Sequence, residues 1–472
     1  MELSSNVTAT WKICTICSLI GCLMLVFLLR ENDQNVRLLE VESTVLEIGP
    51  IYRSKTEAMS ISVKPSEPPQ PIASVVAELI PWSKNVTSNA IEKPKEVYRI
   101  EKSNVTYVKN IGTRALMKRE KKCNMFDGRW VYKPDQNPSY DVMNCPFLEE
   151  KMSCQRNGRP DFEYEKWVWK PRGCNIPLLN GTDMVERFRN KRVILVGDSL
   201  NRNMWESLAC ILYSSIPNAS SKAEVHSQKK VLKTFLKVKD EYNFTVEFFW
   251  SPFLVELNKN HESGKNVLVL DKLSPNSELW PRADIMVFNS GHWWAQIGKK
   301  KAWELFEYRG KLVKDMPLHI AYKRAMKTWA RWVENTIDQT KTTVFFRSVS
   351  AEHKAPQYNQ WCYTKTQPIM DESYKSLFPK SLIRVTKSVI KEMSSKSQVK
   401  YLDITKLSQY RIDAHPSIYR YKDWQIRAQK NMYNLTRTAD CGHWCLPGVP
   451  DTWNRLLYAS LIFDDSGDIS SS

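Results

Sequence analysis

No Asp-x-Asp pair occurs anywhere in the 472 residues, so the acidic clamp that holds a nucleotide-bound cation is missing. Metal-dependent glycosyl transfer is thereby disfavoured. Zinc-finger spacing and RNA-binding aromatic signatures are absent as well, and no nucleic-acid partner is expected. Histidine is scarce at 7 residues, which shortens the search for a base. Glycine, at 15, is outnumbered by 17 Trp, whose flat apolar faces pack cores and also stack on sugar rings. Acidic residues are in deficit: 51 Asp and Glu against 69 Lys and Arg leave a formal net charge of +18. Such an excess attracts polyanions, anionic membranes and acidic polysaccharides among them.

A chain of this length can bury one large core or two modest ones, and its 42% apolar fraction is ordinary for a folded protein. Residues Ile13–Leu29 form an uncharged apolar run between Lys12 and Arg30. That length suits a thin bilayer, and the bulky Leu-Leu-Arg end lacks the small-x-small pattern of a cleaved signal peptide. The expectation is a retained transmembrane anchor over residues 13–30, behind a cytosolic tail of residues 1–12. Flanking charge does not orient it, but the rest of the chain does. Asn85, Asn104, Asn180, Asn218, Asn243 and Asn434 each begin an N-x-S/T acceptor C-terminal to the run. Beyond the anchor, Cys123, Cys145, Cys154, Cys174, Cys210, Cys362, Cys441 and Cys445 make an even set of eight. Four disulfides in an oxidising compartment would use them all, and everything past the anchor is expected to be lumenal.

Residues 31–118 lose periodicity and gain Pro, Ser and charge, the composition of a solvated stem. Residues 119–179 are dense in Cys, aromatics and turn formers. They read as a loop-rich region stapled by disulfides, either a small domain or a cap over the larger one. Spacing does not fix connectivity; the expected pairing takes one of Cys441 and Cys445 to Cys362 and the other to the N-terminal cluster. Over residues 180–465 the pattern becomes α/β. Short β-branched runs recur at Val193–Val196, Val267–Leu270, Ile285–Phe288, Thr343–Phe346 and Tyr401–Ile404, with helical stretches such as Ala321–Ile337 and Leu382–Met393 between some of them. Uninterrupted apolar runs alternating with helices predict a parallel sheet covered on both faces, with chemistry at the carboxyl ends of its strands.

The first run ends in Gly197-Asp198-Ser199, followed by an amphipathic helix carrying Leu200, Met204, Trp205, Leu208, Ile211 and Leu212 on one face. Ser199 therefore stands at a helix N-terminus, where free N–H groups stabilise negative charge on an attacked carbonyl oxygen. A plain helix cap is the alternative for this serine. The only Asp-x-x-His of the chain is Asp440-Cys441-Gly442-His443, a spacing that lets the carboxylate hold the imidazole tautomer while the other ring nitrogen reaches Ser199. Cys441 and Cys445 bracket this histidine as if to pin the loop. No second Cys pair accompanies it, so no metal site is expected. Asn289 and Gly291, directly after Ile285–Phe288, are natural oxyanion donors beside the Ser199 N–H. Trp293 and Trp294 form either a sugar-stacking wall or a buried turn, and Arg202 is a further candidate substrate contact.

The order of a GDS serine, a strand-end Asn and a late Asp-x-x-His resembles SGNH/GDSL hydrolases and acyltransferases. The blocks CNMFDGRWV, RVILVGDSLNRNMWESLAC, FNSGHWW, FFRSVS, LDITKLSQYRIDAHPS and DCGHWCLPGVPDTWN more narrowly resemble the plant trichome birefringence-like family, over roughly Cys123 to Leu461. WCYTKTQPI with ITKLSQYR looks most like its xylan-acetylating branch, although SAEHKAPQYNQ lacks the Gly-rich stretch of many relatives. The resemblance implies an SGNH-hydrolase-like fold and a single-pass type II Golgi membrane protein. It also implies O-acetylation of a cell-wall polysaccharide, with Ser199 as nucleophile, His443 as base and Asp440 as its orienting acid. No cofactor is expected to stay bound; acetyl-CoA or another acetyl carrier would be co-substrate, and Golgi polysaccharide-synthesis proteins are possible partners. An esterase using the same triad, or a non-catalytic wall-polymer binding protein, are the rival readings.

Overall fold

A computed structural model describes residues 124–465, apart from 147, 356–359 and 394–396. The expected tail, anchor and stem, with Asn85, Asn104 and Cys123, lie outside the described residues. Among the described residues, no helix is long and apolar enough to cross a membrane.

The Cys-rich region contributes an antiparallel hairpin of β1 (Gly128–Tyr132) and β2 (Trp167–Pro171). The main sheet is built from β3 (Arg192–Gly197), β4 (Ala223–Gln228), β5 (Lys233–Val238) and β6 (Phe244–Trp250). A second sheet begins with β7 (Val255–Asn258) and β8 (Val267–Leu273), and the chain then returns to the main sheet as β9 (Ile285–Phe288). β10 (Leu305–Tyr308) and β11 (Lys311–Val313) complete the second sheet; β12 (Thr343–Arg347) rejoins the first. A minimal hairpin of β13 (Lys354–Ala355) and β14 (Gln360–Trp361) precedes the last main strand, β15 (Val399–Leu402). The main sheet runs β15-β12-β9-β3-β6-β5-β4.

Its five strands from β15 to β6 are parallel, as the apolar runs predict. β5 and β4 are not: they add antiparallel beside β6, so the sheet is mixed. Their polar-interrupted, half-exposed sequences, AEVHSQ and KTFLKV, carry no uninterrupted apolar run, which is why the pattern hid them. Val267–Leu270 is a strand but belongs to the second sheet, because an apolar run does not say which sheet it joins. The strand expected at Tyr401–Ile404 lies slightly earlier, as β15.

Successive side chains point to opposite faces of a strand, and β3 shows it. Val193 and Leu195 enter one core with the helices α1 (Gly181–Phe188) and α2 (Ser199–Ser215). Ile194 and Val196 enter the other, with α3 (Leu318–Thr336) and α4 (Lys380–Glu392). Each such buried side chain contributes roughly 1.5–3 kcal/mol. Two more long helices, α5 (Trp424–Arg437) and α6 (Val449–Asp465), follow, and α6 lies along α2. From β3 the sheet grows first towards β6 and later towards β9, so the direction of winding reverses there. In open α/β sheets that reversal opens a crevice at the strand carboxyl ends.

Candidate active site

At the carboxyl end of β3, Gly197 adopts φ +155°, and a Cβ there would lie 1.8 Å from Asn289 Oδ1. Only glycine lets the two turns close on each other. Asp198 caps α2, its Oδ1 accepting the Leu200 N–H at 3.0 Å. Ser199 is the first helical residue, so its own N–H has no acceptor within the helix. The residues of the helix face expected from the sequence are buried, and α2 stops at Ser215 because Ile216, the residue before Pro217, is extended.

His443 comes from the loop between α5 and α6. Its Nε2 accepts from the Ser199 hydroxyl at 2.7 Å and its Nδ1 donates to Asp440 Oδ2 at 2.8 Å. Asp440 Oδ1 accepts the Gly442 and His443 N–H groups, both at 3.1 Å, which folds the short turn around the carboxylate. Burial opposes the charge of Asp440. His443 and Arg420, the latter 3.5 Å away, outweigh it and hold the carboxyl well below the usual carboxylate range. An ionised acid behind Nδ1 leaves Nε2 unprotonated towards the serine, the arrangement that draws a proton from a hydroxyl.

Disulfides hold this loop. Cys362–Cys441 and Cys154–Cys445 pin it on both sides of His443, the pairing expected from the sequence, and Cys145–Cys210 ties the Cys-rich region to α2. Cys174 is disulfide-bonded too. From the segment before α5, His415 donates from Nδ1 to the His443 carbonyl at 2.6 Å. Asn203 of α2 clamps the Trp444 backbone through both N–H and C=O.

Asn289 and Gly291 lie on the turn that follows β9, and Asn289 is buried against the residue before Ser199. The Asn289 carboxamide exchanges two hydrogen bonds with Asp198, accepting its N–H at 3.1 Å and donating to Oδ1 at 2.8 Å. One Nδ2 hydrogen is thus committed and one is left for an oxyanion. Gly291 has φ +139°, and a Cβ would press on Val349 at 2.5 Å. Trp293 is half-buried and stands edge-on to Trp250, ring centroids 5.4 Å apart. Trp250 closes β6 in register with Gly197, a neighbour of the site that no motif announced. Trp294 is removed from the anticipated wall: at 1% exposure it is core, wedged among Phe253, Trp303 and Tyr322 with its N–H on Ser290. Arg202 is paired with Glu149 and Glu206, so its guanidinium is engaged within the protein. Among the described residues, no group of three or more His, Cys, Asp or Glu is placed to hold a metal. The sequon residues Asn180, Asn218, Asn243 and Asn434 are all exposed.

Residues 176–460 match the GDSL/SGNH-like acyl-esterase family found in Pmr5 and Cas1p, and residues 121–175 match the PMR5 N-terminal domain. Among curated relatives, protein trichome birefringence of Arabidopsis thaliana is 41% identical over 352 residues, 72% of this chain and 56% of that one. Protein trichome birefringence-like 43 from the same plant is 40% identical over 72% of this chain and 88% of its own length. Protein trichome birefringence-like 3, also from Arabidopsis thaliana, is 37% identical over 78% of this chain and 85% of that one.

Proposed function

This chain belongs to the trichome birefringence-like family, and on that footing we propose that it is an O-acetyltransferase of a cell-wall polysaccharide, xylan in the first place. The observation that carries the reading is the unbroken line from Ser199 Oγ through His443 to the buried Asp440 carboxylate. In the first half-reaction His443 Nε2 takes the hydroxyl proton as Ser199 Oγ attacks the acetyl carbonyl of acetyl-CoA or another acetyl carrier. The oxyanion is met by the Ser199 and Gly291 N–H groups and the free Asn289 Nδ2 hydrogen. The intermediate collapses to acetyl-Ser199, and the leaving group departs with the proton from His443. In the second half a sugar hydroxyl attacks the ester and gives its proton to His443, which returns it to Ser199. The half-exposed Trp293 supplies a stacking face for the acceptor, and the +18 charge suits a polymer bearing acidic sugars. The site would sit in the Golgi lumen behind the N-terminal anchor, beside the machinery that makes the polymer.

The matched family is described as acyl-esterase, which favours hydrolysis as the second reading. Transfer and hydrolysis differ only in which hydroxyl reaches the acyl-serine. The test is to incubate the protein with acetyl donor and xylo-oligosaccharides, with Ser199→Ala and His443→Ala alongside. Stepwise acetyl mass gains, lost in both variants, are expected. Loss in Ser199→Ala but not in His443→Ala would remove His443 as the base. Deacetylation of pre-acetylated xylan without any gain would make the protein an esterase.

A further inference from the structure

One residue past the oxyanion turn, His292 lies buried and outside the line from Ser199 to Asp440. Its Nε2 donates to the Ser350 carbonyl at 2.8 Å. Its Nδ1 stands 3.5 Å from Asp198 Oδ2, and neither of these two buried atoms has a hydrogen-bond partner among the described residues. Asp198 is fully buried, immediately before Ser199. Its other oxygen orients two groups of the oxyanion site, through the Leu200 N–H at the helix start and the Asn289 amide.

Two lone pairs cannot face each other in a dry interior without cost, and an uncompensated carboxylate costs more. Because Nε2 already spends its hydrogen on Ser350, a hydrogen on Nδ1 towards Asp198 makes the ring a cation and the contact an ion pair. Burial opposes the charge of Asp198, yet His292 and the buried Arg347 outweigh it and hold the carboxyl below its usual range. Glu352 also faces His292 electrostatically, and Phe378 covers the ring at 5.2 Å. A bare anion at Asp198 would repel the oxyanion that forms beside it.

We propose that His292 is a positioning residue for acyl transfer: as a buried cation it neutralises Asp198, and so keeps the Asn289 amide aimed and the oxyanion site free of net negative charge. The pair passes no proton during turnover. The inference rests on Ser199 as the acyl acceptor, and its test needs neither the native donor nor the polymer. Full-length protein is mixed with p-nitrophenyl acetate, and the burst of nitrophenolate reports acylation of Ser199. His292→Gln should slow the burst on the order of 100-fold. Adding Asp198→Asn, which keeps the acceptor oxygen and removes the charge, should return on the order of tenfold of that loss. A wild-type burst rate in His292→Gln, or a double variant no faster than the single one, overturns the pair. Nitrogen spectra of histidine-labelled wild-type protein decide the matter even if the variant does not fold. A ring with both nitrogens protonated at neutral pH, absent in His292→Gln or assigned by proximity to Ser350, is expected, and a neutral His292 refutes it. A wild type without a Ser199-dependent burst sinks the nucleophile instead, and the ring spectrum still judges the ion pair.

Discussion

Ser199 and His443 meet across 2.7 Å, yet they arrive by unlike means. The serine stands on a turn built from the sheet itself: a strand end, a glycine that only a bare backbone satisfies, and a capped helix. The histidine stands on a loop with little regular structure, held by two disulfides and by hydrogen bonds to its carbonyls. A strand-to-helix turn is rigid by virtue of the layers on either side, so its position follows from packing. A loop has no such layers, and covalent links supply the constraint. The nucleophile side should therefore respond to what perturbs packing and buried charge, and the base side to what perturbs sulfur.

The sharpest way to break this contrast is at the turn that joins the base to its acid. Asp440→Asn keeps the shape but puts an amide donor against Nδ1, favouring the wrong tautomer. Transfer should fall on the order of 10⁴-fold, with the melting temperature little changed. Steady-state rates beside a thermal melt check it, and a loss below tenfold would mean that the carboxylate does not orient the ring. Next comes sulfur. Cys362→Ser with Cys441→Ser should cost roughly 2–5 kcal/mol of stability and depress turnover more than acceptor binding. Denaturant unfolding and a kcat against KM comparison check this, and unchanged kcat would show that hydrogen bonds alone hold the loop.

The smallest effect belongs to the nucleophile side. Asp451 on α6 accepts from Ser207 of α2, from Tyr140 and from the Gly448 N–H. Burial outweighs those bonds and pushes its carboxyl up to about 6. A raised carboxyl stabilises the fold fully below the ordinary carboxylate range, and that contribution is lost as pH rises through about 6. Its size is roughly 3 kcal/mol at most. Asp451→Asn should flatten the stability profile between about pH 4 and pH 6, read by denaturant unfolding across that window. An unchanged slope would place the titrating group elsewhere.

The same contrast explains what could be read without coordinates. β3, β9 and β12 were legible because a strand buried on both faces must be an uninterrupted apolar run. Ser199 was legible because such a run ended in a turn before a helix face, and Asp440 with His443 because a short spacing encodes their contact. β4 and β5 were hidden by their polar, solvent-facing edge. Trp294 could not be told from Trp293, since adjacent residues of one type differ only in which way the turn sends them. Neither could Arg347 or His292 be assigned, because Arg347 reaches Asn201 and His292 reaches Asp198 and Ser350, all far along the chain. Long-range pairing leaves no local spacing to read.

Cys154 and Cys445 lie 291 positions apart, close to the two ends of the described chain. A chain made from its N-terminus therefore carries Cys154 unpaired until almost all of its partner's domain has emerged. The loop that activates the nucleophile cannot be pinned on this side until then. A base held on both sides by sulfur therefore waits on nearly the whole described chain. A chain cut short before Asp440 would lack both the base and its acid, leaving Ser199 an ordinary, unactivated alcohol.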